Sequence, residues 1–247
     1  MSRCDEKTIA PGRAWSASGG MEPRGAACDR GERRRTESCW RVSSGPFALR
    51  KMQSKHYIGI DEVGRGSWAG PVVIAAVFFP DDLVVPDDVV IRDSKVLSRP
   101  SRTRSAYFLR KNSTFCTLVV PTETVDQGGV HRAIVNGIRR ICATMKRKIS
   151  NPHFLIDGTR LCALRHSHEF IIHGDSLIRE IAAASIIAKD FRDRYMARME
   201  KIYPGYGFDR HVGYGTQFHQ DALQRLGVSP IHRRSFAPIR RLCTEAE

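Results

Sequence analysis

An α/β fold, a mixed central sheet flanked by helices, is what the sequence predicts, and three observations predict it. Short apolar segments rich in β-branched residues recur along the chain. The first two have no helical pattern between them, whereas later ones are separated by segments of helical period. Hydrophobic residues fill 41% of 247 positions, enough for one well-cored domain and an appendage. Early strands without a helix between them and later strands with one lead to a mixed sheet flanked by helices.

The first strand is expected at 57–61, where Tyr57, Ile58, Gly59 and Ile60 lead into Asp61 and Glu62. Further strands are expected at 71–79, 114–120 and 153–157, and another at 168–172, where Ile171 and Ile172 precede a Gly-Asp turn. Helices are expected at 101–111, 130–148, 176–202 and 216–226. The last opens on Thr216 as a candidate N-cap and closes at Gly227. In the helix at 176–202, Ala182, Ala183, Ala184 and Ser185 are small enough to let it lie close on the sheet. Residues 1–55 carry Arg, Ser, Gly and Cys with no sustained period, so they read as a disordered basic extension before a body at 56–247.

The net charge is +14. Residues 1–55 hold 12 Lys and Arg against 6 Asp and Glu, and the rest of the chain holds 28 against 20, so the body is basic in its own right. That balance favours a polyanionic partner. The 7 cysteines include no C-x-x-C pair, which argues against a zinc site or a disulfide framework. With no run of 18 apolar residues and no apolar segment after the first charges, neither a membrane span nor a secretory signal is expected, and cytoplasm is the expected compartment.

Chemistry concentrates where the first strand ends. Asp61 and Glu62 run straight into Gly64-Arg65-Gly66, a turn whose glycines let main chain approach a ligand closely. Asp157 closes the segment FLID, and Asp175 follows Gly174 just before a long helix. Oxygen donors of this kind suit a pair of Mg²⁺ or Mn²⁺ ions, which phosphodiester hydrolysis uses to activate water and stabilise the leaving oxygen. Each acid taken alone is more commonly a turn former or helix cap. Neighbouring strand residues face opposite ways, so Asp61 and Glu62 share one site only if the strand bends or ends there. The 9 histidines form no H-x-x-x-H or H-E-x-x-H pattern, and none is assigned to metal.

Four blocks, in order, carry a resemblance: DEVGRGSWAGPVV from Asp61, FLIDG from Phe154, GDSLIREIAAASIIAKDFRDRYM from Gly174, and YPGYGFDRHVGYGTQFH with SPIHRRSFAP from Tyr203. Together they resemble the ribonuclease HII (type 2 ribonuclease H) family over residues 56–241. The resemblance implies a ribonuclease H-like fold and an endonuclease that cuts the RNA strand of RNA–DNA hybrids. It also implies nicking 5′ of single ribonucleotides in duplex DNA, leaving 3′-hydroxyl and 5′-phosphate ends. It carries catalytic and metal roles onto Asp61, Glu62, Asp157 and Asp175, with Mn²⁺ or Mg²⁺ as cofactor. It assigns the ribose 2′-hydroxyl to Gly64, Arg65, Gly66 and Tyr214.

By the same resemblance Lys95 and Lys189 are phosphate ligands, against a solvated-surface reading for each. Asp193 is either an acid just behind the cluster or an ion-pair partner of Lys189, Arg192 or Arg194. Arg233 and Arg234 are read first as tying the C-terminal loop to the body. Relatives commonly begin shortly before the DEVGRG block, which makes Met52 an alternative start. Two departures stand out: Val212 occupies the family's Lys position in the segment before Tyr214, with Arg210 or His211 as substitutes, and Gly128-Gly129 loosens a helix start. A monomer is expected. A non-catalytic hybrid-binding protein on the same scaffold is the alternative, and the full acid set argues against it.

Overall fold

The computed structural model describes residues 56–244; the expectations for residues 1–55, Met52 among them, lie outside the described residues. Five strands, β1 (His56–Val63), β2 (Val72–Phe78), β3 (Thr114–Val120), β4 (Pro152–Asp157) and β5 (His168–Ile171), form one sheet in the order β3-β2-β1-β4-β5. The pairs β1·β2 and β2·β3 are antiparallel, and β1·β4 and β4·β5 are parallel. The connections account for part of this, since β2 and β3 pair antiparallel although α1 (Arg99–Asn112) lies between them. A short turn joins β1 to β2, while β4 is reached only through α1, β3 and α2 (Thr122–Lys146).

Helix α2 covers one face, where Ile134, Ile138, Ile141 and Met145 pack on Ile58, Ile60, Ile74, Phe154 and Ile156. The other face is covered by α1 and α4 (Arg179–Ile202), which bring Ala106, Leu109, Ala183, Ala184, Ile186 and Ile187 onto Val73, Ala75 and Val77. Each of the larger side chains contributes about 1.5–3 kcal/mol by leaving water. The small-residue stretch of α4 lies tight against the sheet: a Cβ on Gly59 of β1 would sit 2.0 Å from the Glu180 carbonyl carbon. A third cluster, with Met196, Tyr206, Phe208, Val212, Leu223, Ile231 and Ile239, packs α5 (Phe208–His211), α6 (Gln217–Leu226) and α7 (Ala237–Thr244) under the far half of α4.

The elements differ from expectation at a few boundaries. The helix expected at 130–148 begins at Thr122 and is broken at Gly129, whose φ of 75° and ψ of 153° are not helical. The helix expected at 176–202 is two: α3 (Gly174–Leu177) ends where Ile178 adopts extended φ −124° and ψ 123°, and α4 starts afresh. Helix α7 is unannounced by any cap signal. Thr216 caps α6 as expected, its hydroxyl accepting from the His219 N–H at 3.3 Å, and Gly227 ends that helix at φ 74°.

Candidate active site

Strands β1 and β4 run parallel with Ile60 opposite Ile156, so the next residues, Asp61 and Asp157, leave adjacent strands on the face that α4 covers. Asp61 is 7% exposed, and its Oδ1 accepts the Glu62 N–H at 2.7 Å. Asp157 Oδ1 accepts the Gly174 N–H at 2.7 Å, which ties the end of β4 to the α3 turn and delivers Asp175 beside it. The break at Ile178 matters here, because a continuous helix would carry Asp175 along α4's axis instead of leaving it on its own turn.

The strand end does not behave as expected. Rather than stopping at Asp61, β1 stays paired with β2 through Glu62↔Ile74 and Val63↔Val73. The turn at Gly64, with φ 89°, comes after both acids, so Asp61 and Glu62 follow the pleat and face opposite ways. Their charges still meet around the rim of the sheet. Burial, then the charges of Glu62 and Asp157, hold the Asp61 carboxyl well above the usual range. Burial likewise raises Glu62 to about 7, with Arg65, 3.9 Å away, opposing and Asp157 adding to it. Asp157 is raised by burial and then by Asp175.

Oxygen donors under this mutual repulsion fit a hard divalent cation. Among the described residues no three acidic, His or Cys side chains are already gathered as a finished metal cage. Asp175 is engaged by Lys95, whose Nζ lies 2.8 Å from Oδ2. The Lys95 side chain is 74% exposed, so this ammonium covers the acids from the solvent side.

Beside the acids, two arginines with 0% exposure organise the loops, and among the described residues neither faces a carboxylate within an ion-pair distance. Arg233 donates Nη2 to Gly64 O at 2.7 Å, Nη1 to Arg65 O at 3.0 Å, and Nη2 and Nε to Gly70 O. Arg192 donates to Pro71 O, Ala69 O, the Ser67 hydroxyl and, at 2.8 Å, Val212 O. Its guanidinium also lies 5.7 Å from the Tyr214 ring centroid. The Gly64-Arg65-Gly66 turn and the Tyr214 loop are thus bolted to one pair of cations. Tyr214 keeps 39% exposure, and Arg65 and Gly66 face solvent.

Arg233 therefore does tie the C-terminal loop to the body, and Arg234 donates its N–H to Asp126. The role of Arg192 went unread. Its signal was available in the periodicity, since Ala188, Arg192 and Met196 recur at helical spacing on one buried face of α4. Val212 holds a left-handed φ of 46°, a conformation that β-branched residues rarely adopt, and is 8% exposed.

Asp193 is buried and bonds two cations, Arg102 Nη2 at 2.8 Å and Lys189 Nζ at 2.7 Å. The ion-pair reading therefore holds for Lys189, which is committed to Asp193 here. Arg102 in turn donates to Ser94 O and Leu97 O, and the Ser94 hydroxyl meets Ser185 at 2.9 Å. Asp193 thus fixes, through Arg102, the loop that carries Lys95.

Three histidines support the Tyr214 loop. Ser229 donates its N–H to His232 Nδ1 at 2.9 Å, and His219 Nδ1 meets Tyr214 O at 3.0 Å. These partners leave His232 Nε2 as donor to His219 Nε2, 2.9 Å away. Burial holds both rings down to about 4, so they stay neutral. His211 stacks on His219 with centroids 4.5 Å apart, so it is structural here rather than a replacement for the family's Lys.

The family model for Ribonuclease HII matches residues 58–239. Ribonuclease HII of Dichelobacter nodosus (strain VCS1703A) is 43% identical over 183 residues, which cover 73% of this chain and 94% of that one. The ribonuclease H2 from Pyrococcus horikoshii OT3 superposes with a TM-score of 0.63 at 21% identity, covering 76% of this chain and 97% of its own. Bst-RNase HIII in complex with Mn²⁺ superposes with a TM-score of 0.61 at 18% identity, covering 82% of this chain and 74% of its own.

Proposed function

Because the chain belongs to the ribonuclease HII family and is an endoribonuclease, we propose that it hydrolyses the RNA strand of RNA–DNA hybrids and nicks 5′ of single ribonucleotides in duplex DNA. Water adds to the phosphorus, the P–O3′ bond breaks, the 3′ oxygen takes up a proton, and 3′-hydroxyl and 5′-phosphate ends result. The observation that carries this reading is the meeting of mutually repelling carboxylates with a pinned glycine turn. Asp61, Glu62 and Asp157 crowd one sheet rim, and the Gly64-Arg65-Gly66 turn starts two residues on.

Asp61, Glu62, Asp157 and Asp175 would hold a pair of Mg²⁺ or Mn²⁺ ions, which when bound supply the positive charge that activates water and stabilises the leaving oxygen. The Mn²⁺ complex of Bst-RNase HIII, a protein of the same fold, agrees with that choice of ion. The Glu62 and Gly174 N–H groups orient Asp61 and Asp157 so that their carboxylates need not reorganise. Lys95 exchanges Asp175 for a substrate phosphate and so keeps the acids screened until substrate arrives. Main-chain groups at 64–66 meet the 2′-hydroxyl, which is both donor and acceptor, while the Tyr214 ring lies against the sugar. Arg192 and Arg233 hold those readers in register.

The decisive experiment is cleavage of a duplex with one embedded ribonucleotide, with Mg²⁺ or Mn²⁺, by wild type and Asp61→Asn. A nick 5′ of the ribonucleotide that needs the ion and disappears in the variant is expected. Tight binding without a nick under either ion sinks the reading and leaves a hybrid-binding protein.

A further inference from the structure

The solvent face of α2 is strongly one-sided in charge. Between residues 127 and 156 the chain carries Arg132, Arg139, Arg140, Lys146, Arg147 and Lys148, and no Asp or Glu. Arg132, Arg139 and Lys146 are each seven residues apart, so they form one stripe along the helix with a drift of only about 20° per step. All three are exposed, and none is ion-paired with a carboxylate among the described residues. At 1.5 Å per residue the stripe is about 21 Å long, with cations about 10 Å apart.

A basic helix face alone is commonly just solvated. Here the N-terminal turn of the same helix is tied to the loop that carries Arg233. Asp126, in the first turns of α2, accepts from the Arg234 and Ser235 N–H groups at 2.9 and 3.0 Å, and the neighbouring Arg233 holds the Gly64-Arg65 carbonyls. From that anchor α2 runs past Gly129 along the sheet face opposite α4 toward the start of β4, and the three cations follow its axis.

Resting on the nuclease reading above, we propose that Arg132, Arg139 and Lys146 form a phosphate track that holds the duplex flanking the cleaved ribonucleotide. The stripe spans about six base-pair steps at 3.4 Å each. Contacts to phosphates position a duplex without reading its sequence. The track therefore strengthens binding of long-flanked substrates and leaves the choice of cleavage site unchanged.

The test compares wild type with the triple variant Arg132→Gln/Arg139→Gln/Lys146→Gln, without divalent ions, on duplexes carrying one ribonucleotide. One duplex has short flanks, and two others are extended by about two helical turns on one side or the other. Each phosphate contact adds about 0.9 to the slope of log affinity against log salt. On the extended duplex that reaches α2, the variant should show a slope shallower by about 2.7, which is roughly a 40-fold smaller loss of affinity between 50 and 200 mM salt. On the short duplex the two proteins should match. Equal slopes on both extended duplexes overturn the track, and so does an equal weakening on short and long duplexes. Wild type that binds none of the duplexes overturns the nuclease reading itself. All three side chains are exposed, so circular dichroism should show the variant folded like wild type.

Discussion

Replacing Arg233 by Lys isolates the clamp beneath the Gly64-Arg65-Gly66 turn. Arg233 is fully buried and serves three carbonyls, those of Gly64, Arg65 and Gly70, from three separate nitrogens. An ammonium presents its donors from one point and cannot span them, so at least one buried carbonyl loses its partner, at about 1–3 kcal/mol for each group left bare. Burial, and then the charge of Arg192, already pull Arg233 down to about 9. A lysine starts lower and, under the same burial, is pulled toward the neutral form. The expected loss is about 2–5 kcal/mol, or a melting temperature lower by roughly 5–15 °C.

Function should fall by a separate route. A turn displaced by about 1 Å lowers kcat on a single-ribonucleotide duplex roughly 10- to 100-fold, while KM, set by phosphates elsewhere, moves less than about threefold. The assays are urea unfolding and steady-state cleavage at a temperature where both proteins are folded, with the exposed Arg240→Lys as control. An Arg233→Lys protein with wild-type stability and wild-type kcat refutes the clamp argument.

Two further outcomes are expected. His232 is neutral in the fold because burial lowers it to about 4, while an unfolded histidine titrates near 6.5; the unfolded chain therefore binds more protons in between, and this contribution to stability is lost as pH falls from about 6.5 toward 4. In urea titrations the stability gap between wild type and His232→Asn should shrink by about 2 kcal/mol from pH 7 to pH 5, and a constant gap contradicts the assignment. Val212→Lys replaces an apolar side chain of the third cluster, so it should lower stability, and it should steepen the salt dependence of duplex binding by about one phosphate contact. Fluorescence anisotropy over a salt series checks this, and an unaltered slope shows that the position does not face a phosphate.

Much of the fold was legible because apolar periodicity is local. The strand at 114–120 coincides with β3, Thr216 caps α6, and the order of strands and helices implied a mixed sheet. Less legible were features that depend on one or two dihedrals. Gly129 alone splits α2, and Ile178, an ordinary helix residue by composition, separates α3 from α4. The strand expected to end at residue 61 runs on to Val63 because pairing of Glu62 and Val63 with β2 keeps it extended until Gly64.

Sequence by itself determined the family, the inventory of four acids, and the glycine turn and tyrosine beside them, since residue identity and order carry that information directly. Tertiary structure decided which of these groups act on one another. Asp193 proved to hold Arg102 and Lys189, and Lys95 to cover Asp175. Arg192 and Arg233 each bond a carbonyl more than a hundred residues away in the chain, that of Pro71 and that of Arg65. A buried guanidinium is satisfied by whichever carbonyls the fold brings to it, and no local pattern in the chain encodes that meeting.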